Sequence, residues 1–226
     1  MPSERVNQLL AWHERAYEML KARLPMRMSF MGLDLHIADD VFAPQMESTT
    51  EGDPFHRAVE AEVRAGERIL DMGTGSGVSA LLAARRGAEV VAVDVNPHAV
   101  ACARSNAKRN GLTDRITFLT GDVFEAVDGT FDLIVFDPPF RWFKPRDFLD
   151  MGAADENYRG LTKFMAEVKE RLRTDGRVLL NFGTSGDIDY MYHLIDRAGF
   201  RKEVTWYGSA THDGLAADYY IIKLTC

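Results

Sequence analysis

The chain of 226 residues is long enough for one α/β domain with a modest extension, and its 46% hydrophobic content is sufficient for a core. Its net charge of −7 argues against a protein that holds nucleic acid mainly through phosphates. It has no apolar run of the roughly 18 residues that a membrane span needs, and it shows no secretory signal pattern. Its 2 cysteines do not make a disulfide framework. We therefore expect a cytoplasmic protein with reduced cysteines.

The N-terminal region predicts a helix and a short strand. Apolar residues recur at helical spacing over 4–24, and Pro25 ends that pattern. Residues 32–37 alternate between apolar and polar, which is typical of a strand with one buried face. We expect residues 1–50 to form an extension whose helix either packs on the main domain or recruits a substrate.

Residues 51–226 predict a single α/β domain, because apolar strands and amphipathic helices alternate along them. A helix capped by Asp53 and ending near Gly66 comes first. Strands are predicted near 68–71, 89–94, 115–120, 131–137 and 177–182, with helices near 77–86, 97–109, 155–173 and 187–198. Two β-rich segments, 200–207 and 218–224, predict a C-terminal antiparallel hairpin at the edge of a mostly parallel sheet.

The stretch 70–77, LDMGTGSG, predicts a strand end, a tight glycine turn and the start of a helix. Gly75 also begins a G-x-G-x-x-A pattern, and Asp94 follows it by nineteen residues, as in dinucleotide-binding sites. However, the carboxylate of Asp71 suits a cationic amino acid end better than a pyrophosphate. A nicotinamide enzyme also has no obvious use for the tetrapeptide Asp-Pro-Pro-Phe at 137–140.

Taken in order, D-x-G-x-G-x-G, an acidic strand end, Gly121-Asp122 and D-P-P-F resemble the class I S-adenosylmethionine (SAM) methyltransferases over roughly 67–183. The resemblance implies a Rossmann-like fold with a seven-stranded sheet. The D-P-P-F element is similar to that of N-methyltransferases, which include release-factor glutamine methyltransferases and adenine and guanine amino-methyltransferases. The string GLDLHIADDVFAPQMEST at 32–49 is most similar to the release-factor (HemK-like) group, although Met46 replaces the usual proline.

The expected SAM site lies at the carboxyl ends of the strands. Asp94 is placed to accept hydrogen bonds from two ribose hydroxyls, Asp122 from the adenine amino group, and Asp71 from the methionine ammonium. The full predicted cofactor-binding set is Asp71, Gly73, Thr74, Gly75, Gly77, Asp94, Val95, Asp122, Val123 and Asp137.

The predicted catalytic residues are Asp137, Pro138 and Phe140. Consecutive prolines remove two N–H donors and leave their carbonyls free to accept. The Asp137 side chain and the Pro138 carbonyl can therefore orient an N–H₂ group toward the methyl, while Phe140 stacks on a planar acceptor. A carboxylate also opposes the positive charge that develops on the attacking nitrogen.

The acceptor itself stays open at this stage. Glutamine methyltransferases usually carry Asn-Pro-Pro-Tyr, so Asp137 and Phe140 also suit a nucleobase amino group or a small-molecule amine, besides a protein side chain. The basic and aromatic segment 141–146 either clamps a nucleobase or phosphate, or forms a lid. Candidate substrate-binding residues are Phe42, Pro44, Ser48, Thr49, Pro139, Arg141 and Trp142.

The sequence leaves two other classes of function open. The alternatives are an NAD(P)-dependent oxidoreductase and a non-catalytic SAM-binding subunit. The 6 histidines lie on different predicted elements without metal-ligand spacing, so we expect no metal.

Overall fold

A seven-stranded sheet forms the centre of the protein in the computed structural model, which describes residues 2–44, 53–212 and 214–226. In chain order the helices and strands are α1 (Ser3–Lys21), β1 (Met26–Phe30), β2 (Leu33–Ile37), α2 (Pro54–Glu62), β3 (Arg68–Met72), α3 (Val78–Arg85), β4 (Glu89–Asp94), α4 (Pro97–Arg109), β5 (Ile116–Thr120), β6 (Phe131–Phe136), α5 (Arg159–Glu167), β7 (Leu172–Gly183), α6 (Ile188–Ala198), β8 (Arg201–His212) and β9 (Leu215–Thr225).

The strand order of the main sheet is β5-β4-β3-β6-β7-β9-β8. All neighbouring pairs from β5 to β7 are parallel, whereas β9 runs antiparallel to both β7 and β8. The predicted mostly parallel sheet with a C-terminal hairpin is therefore confirmed. The order reverses between β3 and β6, and ligands of open α/β sheets bind at such a switch point, outside the carboxyl ends of the strands.

Local sequence signals explain where the helices begin. Asp53 accepts a hydrogen bond from the backbone N–H of His56 at 2.9 Å, and Pro54 is the first residue of α2. Asn96 caps α4 in the same way, through the N–H of His98 at 2.9 Å and with Pro97 following. Helix α3 starts instead at Gly77, whose φ of 90° is open to glycine at little steric cost.

Several elements differ from the sequence prediction. Strand β1 was not predicted, and it pairs antiparallel with β2 to form a separate hairpin. Helix α5 is shorter than the predicted 155–173, because Asn157 and Tyr158 both adopt left-handed backbone conformations at its start. Strands β8 and β9 extend further than predicted, since polar residues are tolerated on a solvent-facing edge hairpin.

The sheet is covered on both faces by apolar side chains. One face packs against α2, α3, α4 and the β1–β2 hairpin, and the other packs against α5 and α6. Near the amino ends of β6 and β7, the buried Arg177 pairs with Glu62 of α2 and with Glu67. Among the described residues, no helix combines the length and apolar composition needed to cross a bilayer.

Candidate active site

The glycine turn after β3 has the shape that the sequence predicts. Gly73, Gly75 and Gly77 have φ values of 68°, 54° and 90°, all in the region that disfavours side chains. The turn is closed by a hydrogen bond from the N–H of Gly77 to the carbonyl of Thr74 at 2.8 Å. At Gly77 the backbone also approaches α4 closely, since a Cβ there would lie 2.9 Å from the Cβ of Ala103. Glycine is thus required at Gly77 by both conformation and space.

Asp71 lies at the end of β3 directly beneath this turn. Its Oδ2 accepts hydrogen bonds from the Thr74 hydroxyl at 2.6 Å and from the Ala80 N–H at 3.1 Å. Burial raises the pKa of Asp71 to about 6, although both hydrogen bonds oppose that shift. Thr74 was predicted to bind the cofactor; its side chain is buried and turned toward Asp71.

Asp94 lies at the end of β4, next to the turn. Its Oδ2 accepts from the Gly75 N–H at 2.9 Å and its Oδ1 accepts from the Asn96 N–H at 2.8 Å. Burial raises the pKa of this carboxyl, and the backbone hydrogen bonds counteract part of the effect. A carboxylate oxygen has two acceptor positions, so Asp94 can still accept from a ligand hydroxyl. The neighbouring Val95 remains 39% exposed, which leaves an apolar surface beside the carboxylate.

Asp122 follows β5 at the far side of the predicted cofactor site. Arg159 and Lys163 donate to its Oδ2 at 2.8 and 3.3 Å. Burial alone would raise the pKa of Asp122, but these two cations lower it below its usual value. Its role toward an adenine amino group stays a prediction. The side chain of Val123 is packed into the core, and its backbone is left-handed.

Asp137 emerges at the end of β6, across the switch point from Asp71. Its Oδ1 accepts a hydrogen bond from the Asn181 side-chain amide at 3.0 Å. Solvent reaches Asp137, but the surrounding protein removes enough hydration to raise its pKa to about 7, with a further contribution from Asp53. His56 and Asn181 act in the opposite direction. Sequence reasoning missed Asn181, and the available signal was its place on the strand that pairs with β6.

The rest of the Asp-Pro-Pro-Phe tetrapeptide is held by aromatic residues. The Phe140 ring lies 5.2 Å from that of Phe182 and 6.1 Å from that of Tyr219, measured between centroids. The Tyr158 hydroxyl donates to the Phe140 carbonyl at 2.9 Å and accepts from the Asp187 N–H at 2.6 Å. Among the described residues, no donor forms a hydrogen bond with the Pro138 carbonyl. A role in substrate binding requires this carbonyl to be free to accept from the substrate.

The segment 141–150 packs against α1 and is covered by it. Arg146 pairs with both Glu14 and Asp150, and its guanidinium lies 4.0 Å from the ring centroid of Tyr17. His13 lies at ion-pair distance, 2.8 Å, from the buried Asp150. Helix α1 thus contacts the segment that follows the tetrapeptide, and its Arg5 also donates to the carbonyls of Thr184 and Ala216 at 3.3 and 3.2 Å.

The remaining predicted substrate residues lie in different places. Trp142 is half-buried next to Phe143 and Tyr158, whereas Phe42 is 42% exposed and packs on Gly152. Pro139 and Pro44 are half-buried. Ser48 and Thr49 lie outside the described residues, as does Met46.

Carboxylates gather where a cofactor would bind. Asp71, Asp94 and Asp137 all lie at carboxyl ends of neighbouring strands around the switch point. Such a negative rim fits a ligand with an ammonium or sulfonium group and repels a pyrophosphate. The residues present therefore fit SAM better than a nicotinamide dinucleotide. The described residues contain no group of three or more His, Cys, Asp or Glu that could hold a metal ion.

Comparison with known proteins agrees with this geometry. The family model described as "Methyltransferase small domain" matches residues 55–185. The release factor glutamine methyltransferase of Rhodospirillum rubrum is 36% identical over 170 residues, which cover 68% of this chain and 50% of that protein. The putative protein N5-glutamine methyltransferase of Methanocaldococcus jannaschii is 31% identical, with 61% of this chain and 72% of that protein covered.

Solved structures share the fold at low sequence identity. The ribosomal protein L11 methylase of Lactobacillus delbrueckii subsp. bulgaricus has a TM-score of 0.59 and 20% identity, with 82% of each chain covered. The tRNA (uracil-54, C5)-methyltransferase of Pyrococcus abyssi, solved with S-adenosyl-L-homocysteine, has a TM-score of 0.58 and 19% identity, with 88% of this chain and 44% of that one covered.

The fold and the carboxylates at the ends of its strands are together typical of the Rossmann-like methyltransferases. The chain belongs to the Methyltransferase small domain family. It spans half the length of the Rhodospirillum rubrum relative and 72% of the Methanocaldococcus jannaschii relative.

Proposed function

We propose that this protein is a SAM-dependent N-methyltransferase whose acceptor is the side-chain amide of a glutamine in a protein. The observation that carries the proposal is the placement of Asp71 and Asp137 at the ends of the adjacent strands β3 and β6, on either side of the switch point. The names of the two glutamine methyltransferase relatives support the acceptor. SAM supplies an activated methyl group when it is bound.

The cofactor would be held by the acidic strand ends and the glycine turn. Asp71 would face the ammonium of the methionine end and Asp94 the ribose hydroxyls, while Asp122 would lie near the adenine. Val95 and Val123 would contribute apolar contact and backbone groups. Gly73, Gly75 and Gly77 let the backbone of the turn approach the ligand.

The acceptor nitrogen would be oriented by Asp137 and the carbonyl of Pro138. Two hydrogen bonds accepted from an N–H₂ group fix the direction of its lone pair, and in-line positioning of this kind is worth roughly 7–11 kcal/mol of a reaction barrier. Asp137 in its ionised form also opposes the positive charge that develops on nitrogen. Asn181 holds this carboxylate in place through its amide.

A second class of acceptor is favoured by Asp137 itself. A carboxyl with a pKa of about 7 can take a proton from a basic amino group near neutral pH, which an asparagine cannot do. A basic amine on a small molecule is therefore an alternative acceptor. A nucleobase amino group, which is not basic, is a further alternative because its N–H bonds can still be donated to Asp137.

Binding and transfer are tested separately. Calorimetry should show that the protein binds SAM and not NADH, and the opposite result would favour the oxidoreductase. Methyl-labelled SAM incubated with protein, RNA and metabolite fractions of a cell extract should label protein. Label in RNA or metabolites would instead select the amino-group alternative.

A variant of Asp137 tests whether the chain is itself a catalyst. Asp137→Ala should bind SAM normally and lose transfer. The control Asp114→Ala removes an exposed carboxylate just before β5 and should keep transfer. Unchanged turnover in Asp137→Ala would remove this residue from the mechanism, and SAM binding without transfer by the wild type would indicate a non-catalytic subunit.

A further inference from the structure

Arg141 directly follows the Asp-Pro-Pro-Phe tetrapeptide and is a buried arginine whose side chain has no hydrogen-bond or ion-pair partner among the described residues. The residue is 8% exposed, and its Nε is enclosed with no hydrogen-bond partner. Among the described residues its guanidinium forms no hydrogen bond or ion pair, and its one specific contact is with the ring of Trp12, 4.3 Å from the centroid. Buried charges in proteins are normally paired, so this guanidinium needs an explanation.

Arg177 provides a comparison within the same molecule. It is 6% exposed, and its guanidinium donates to Glu62, Glu67 and the Asp132 carbonyl at 2.6 to 3.0 Å. The hydrogen bonds raise the pKa of Arg177 even though burial opposes this. Arg141 is the opposite case, because burial lowers its pKa. Arg177 is satisfied by the fold, and Arg141 is not.

The carboxylate that acts electrostatically on Arg141 is that of Asp150, and it contacts other residues directly. Asp150 raises the pKa of Arg141 weakly, together with Tyr158 and Tyr219. Its Oδ2 accepts from the backbone and side chain of Arg146, both at 3.0 Å, and its Oδ1 faces His13. Among the described residues, Asp150 thus contacts Arg146 and His13, and it forms no hydrogen bond or ion pair with Arg141.

We propose that Arg141 binds a carboxylate of the methyl acceptor, so that the substrate carries a carboxylate close to the nitrogen that is methylated. The inference rests on the proposed function, since it places Arg141 at the acceptor side of the same site. A planar guanidinium binds a carboxylate through two parallel hydrogen bonds. The terminal nitrogens keep access to solvent while Nε is enclosed, so they are available for this contact.

A single carboxylate fits this site better than a phosphate. The net charge of the chain is −7, and Asp137 lies four residues before Arg141. The nearby Arg146 is already neutralised by Glu14 and Asp150. One unpaired cation in an acidic setting matches a singly charged oxyanion, whereas a phosphate with nearly two charges would be repelled by the surrounding carboxylates.

The first experiment asks whether Arg141 is structural. Arg141→Met replaces the aliphatic stem by another unbranched apolar side chain and removes a buried charge, so its Tm should equal or exceed that of the wild type. Arg177→Met removes the ion-pair partner of Glu67 and one of the two partners of Glu62, which keeps Lys223, so its Tm should fall clearly. A fall of similar size in both variants would show that Arg141 holds the fold together and would overturn the proposal.

The second experiment measures the recognition of the carboxylate. The full chain, saturated with S-adenosylhomocysteine to prevent turnover, is titrated in a calorimeter with N-acetyl-L-glutamine and with N-acetyl-L-glutaminamide, which lacks the carboxylate. The wild type should bind the acid about tenfold or more tightly than the amide, the usual size of a charge-assisted hydrogen bond. Arg141→Met should lose this preference, and Lys144→Met, which removes an exposed cation from the same segment, should keep it.

Further probes identify the source of the carboxylate. L-Glutamine presents a free amino acid, while N-acetyl-L-glutamine presents the C-terminal residue of a peptide, and the tighter ligand indicates which source is used. Sodium glutarate should raise the Tm of the wild type above that in sodium chloride of equal ionic strength, without doing so for Arg141→Met. Stronger stabilisation by sodium phosphate than by glutarate would overturn the assignment of a carboxylate.

The two proposals can fail independently. A wild type that does not bind S-adenosylhomocysteine contradicts the proposed function. A wild type that binds it, but shows neither a preference for the acid nor stabilisation by glutarate, contradicts only the role of Arg141.

Discussion

The rate of methyl transfer should rise with pH through the ionisation of Asp137. The pKa of this carboxyl is about 7, because loss of hydration next to the surrounding protein and the charge of Asp53 both raise it. The ionised form accepts hydrogen bonds from the acceptor and opposes the positive charge on nitrogen, which the neutral form cannot do. With a pKa near 7, about 9% of the carboxyl is ionised at pH 6 and about 91% at pH 8. We therefore expect kcat/KM to increase about tenfold over this interval and then to level off.

Two variants connect this profile to particular atoms. Asp137→Asn keeps the shape of the side chain but cannot ionise, so the rise near pH 7 should disappear. Asn181→Leu removes the amide that donates to Asp137 Oδ1 at 3.0 Å. A hydrogen bond to the ionised form lowers a carboxyl pKa, so its loss should move the midpoint to higher pH.

The assay is the initial rate of transfer from methyl-labelled SAM at pH values between 5.5 and 9. It uses the acceptor fraction that takes up label most strongly, with SAM binding measured by calorimetry at each pH. Asp114→Asn, which alters a distant exposed carboxylate, should reproduce the wild-type curve. The same midpoint in the wild type and in Asp137→Asn would refute the reasoning, as would a rate that falls from pH 6 to 8.

Two further predictions concern the cofactor side of the site. The pKa of Asp71 is raised from 3.8 to about 6, so the folded state binds this proton more tightly than the unfolded chain does. The resulting contribution to the unfolding free energy is about 3 kcal/mol at most. It is present below pH 4 and is lost as the pH rises through about 6. Urea unfolding of Asp71→Asn should therefore depend less on pH between 4 and 7 than that of the wild type, and an identical slope would contradict this. Gly77→Ala places a Cβ 2.9 Å from that of Ala103 at a φ of 90° and should cost about 2–5 kcal/mol of unfolding free energy. Gly111→Ala, with a φ of 68° and no neighbour within 4 Å, should cost only about 1–2 kcal/mol, and equal losses would show that the contact with Ala103 is unimportant.

The parts of the fold that were predicted correctly are those with strong local signals. Asp53 and Asn96 are followed by proline and do cap α2 and α4. The glycines of 73–77 adopt the positive φ values expected of a tight turn. Apolar runs bounded by such signals also located the parallel strands. In these cases residues that are neighbours in sequence determine the structure.

The elements that were missed depend on contacts between distant residues. Strand β1 has the sequence MRMSF, which alternates between apolar and polar residues but is only five residues long, and its pairing with β2 is what completes it as a strand. The contact of Asn181 with Asp137 joins two strands that are 44 residues apart. Similarly, α1 meets the 141–150 segment through a pair of residues 132 apart, Glu14 and Arg146. Helical periodicity predicts that α1 has a buried face but not which segment covers it.

Two charged groups whose surroundings disfavour their charged form lie at one end of the sheet. Near the amino ends of β6 and β7, the buried Arg177 has all of its charge balanced by neighbouring residues. At and beyond the carboxyl end of β6, Asp137 has a raised pKa, and Arg141 is buried with no ion-pair partner in the described part of the chain. Stability alone would favour replacing both of these groups by neutral ones. Local conflicts of this kind are expected where a protein binds and reacts with its ligands, which supports the proposal that both residues contact the acceptor.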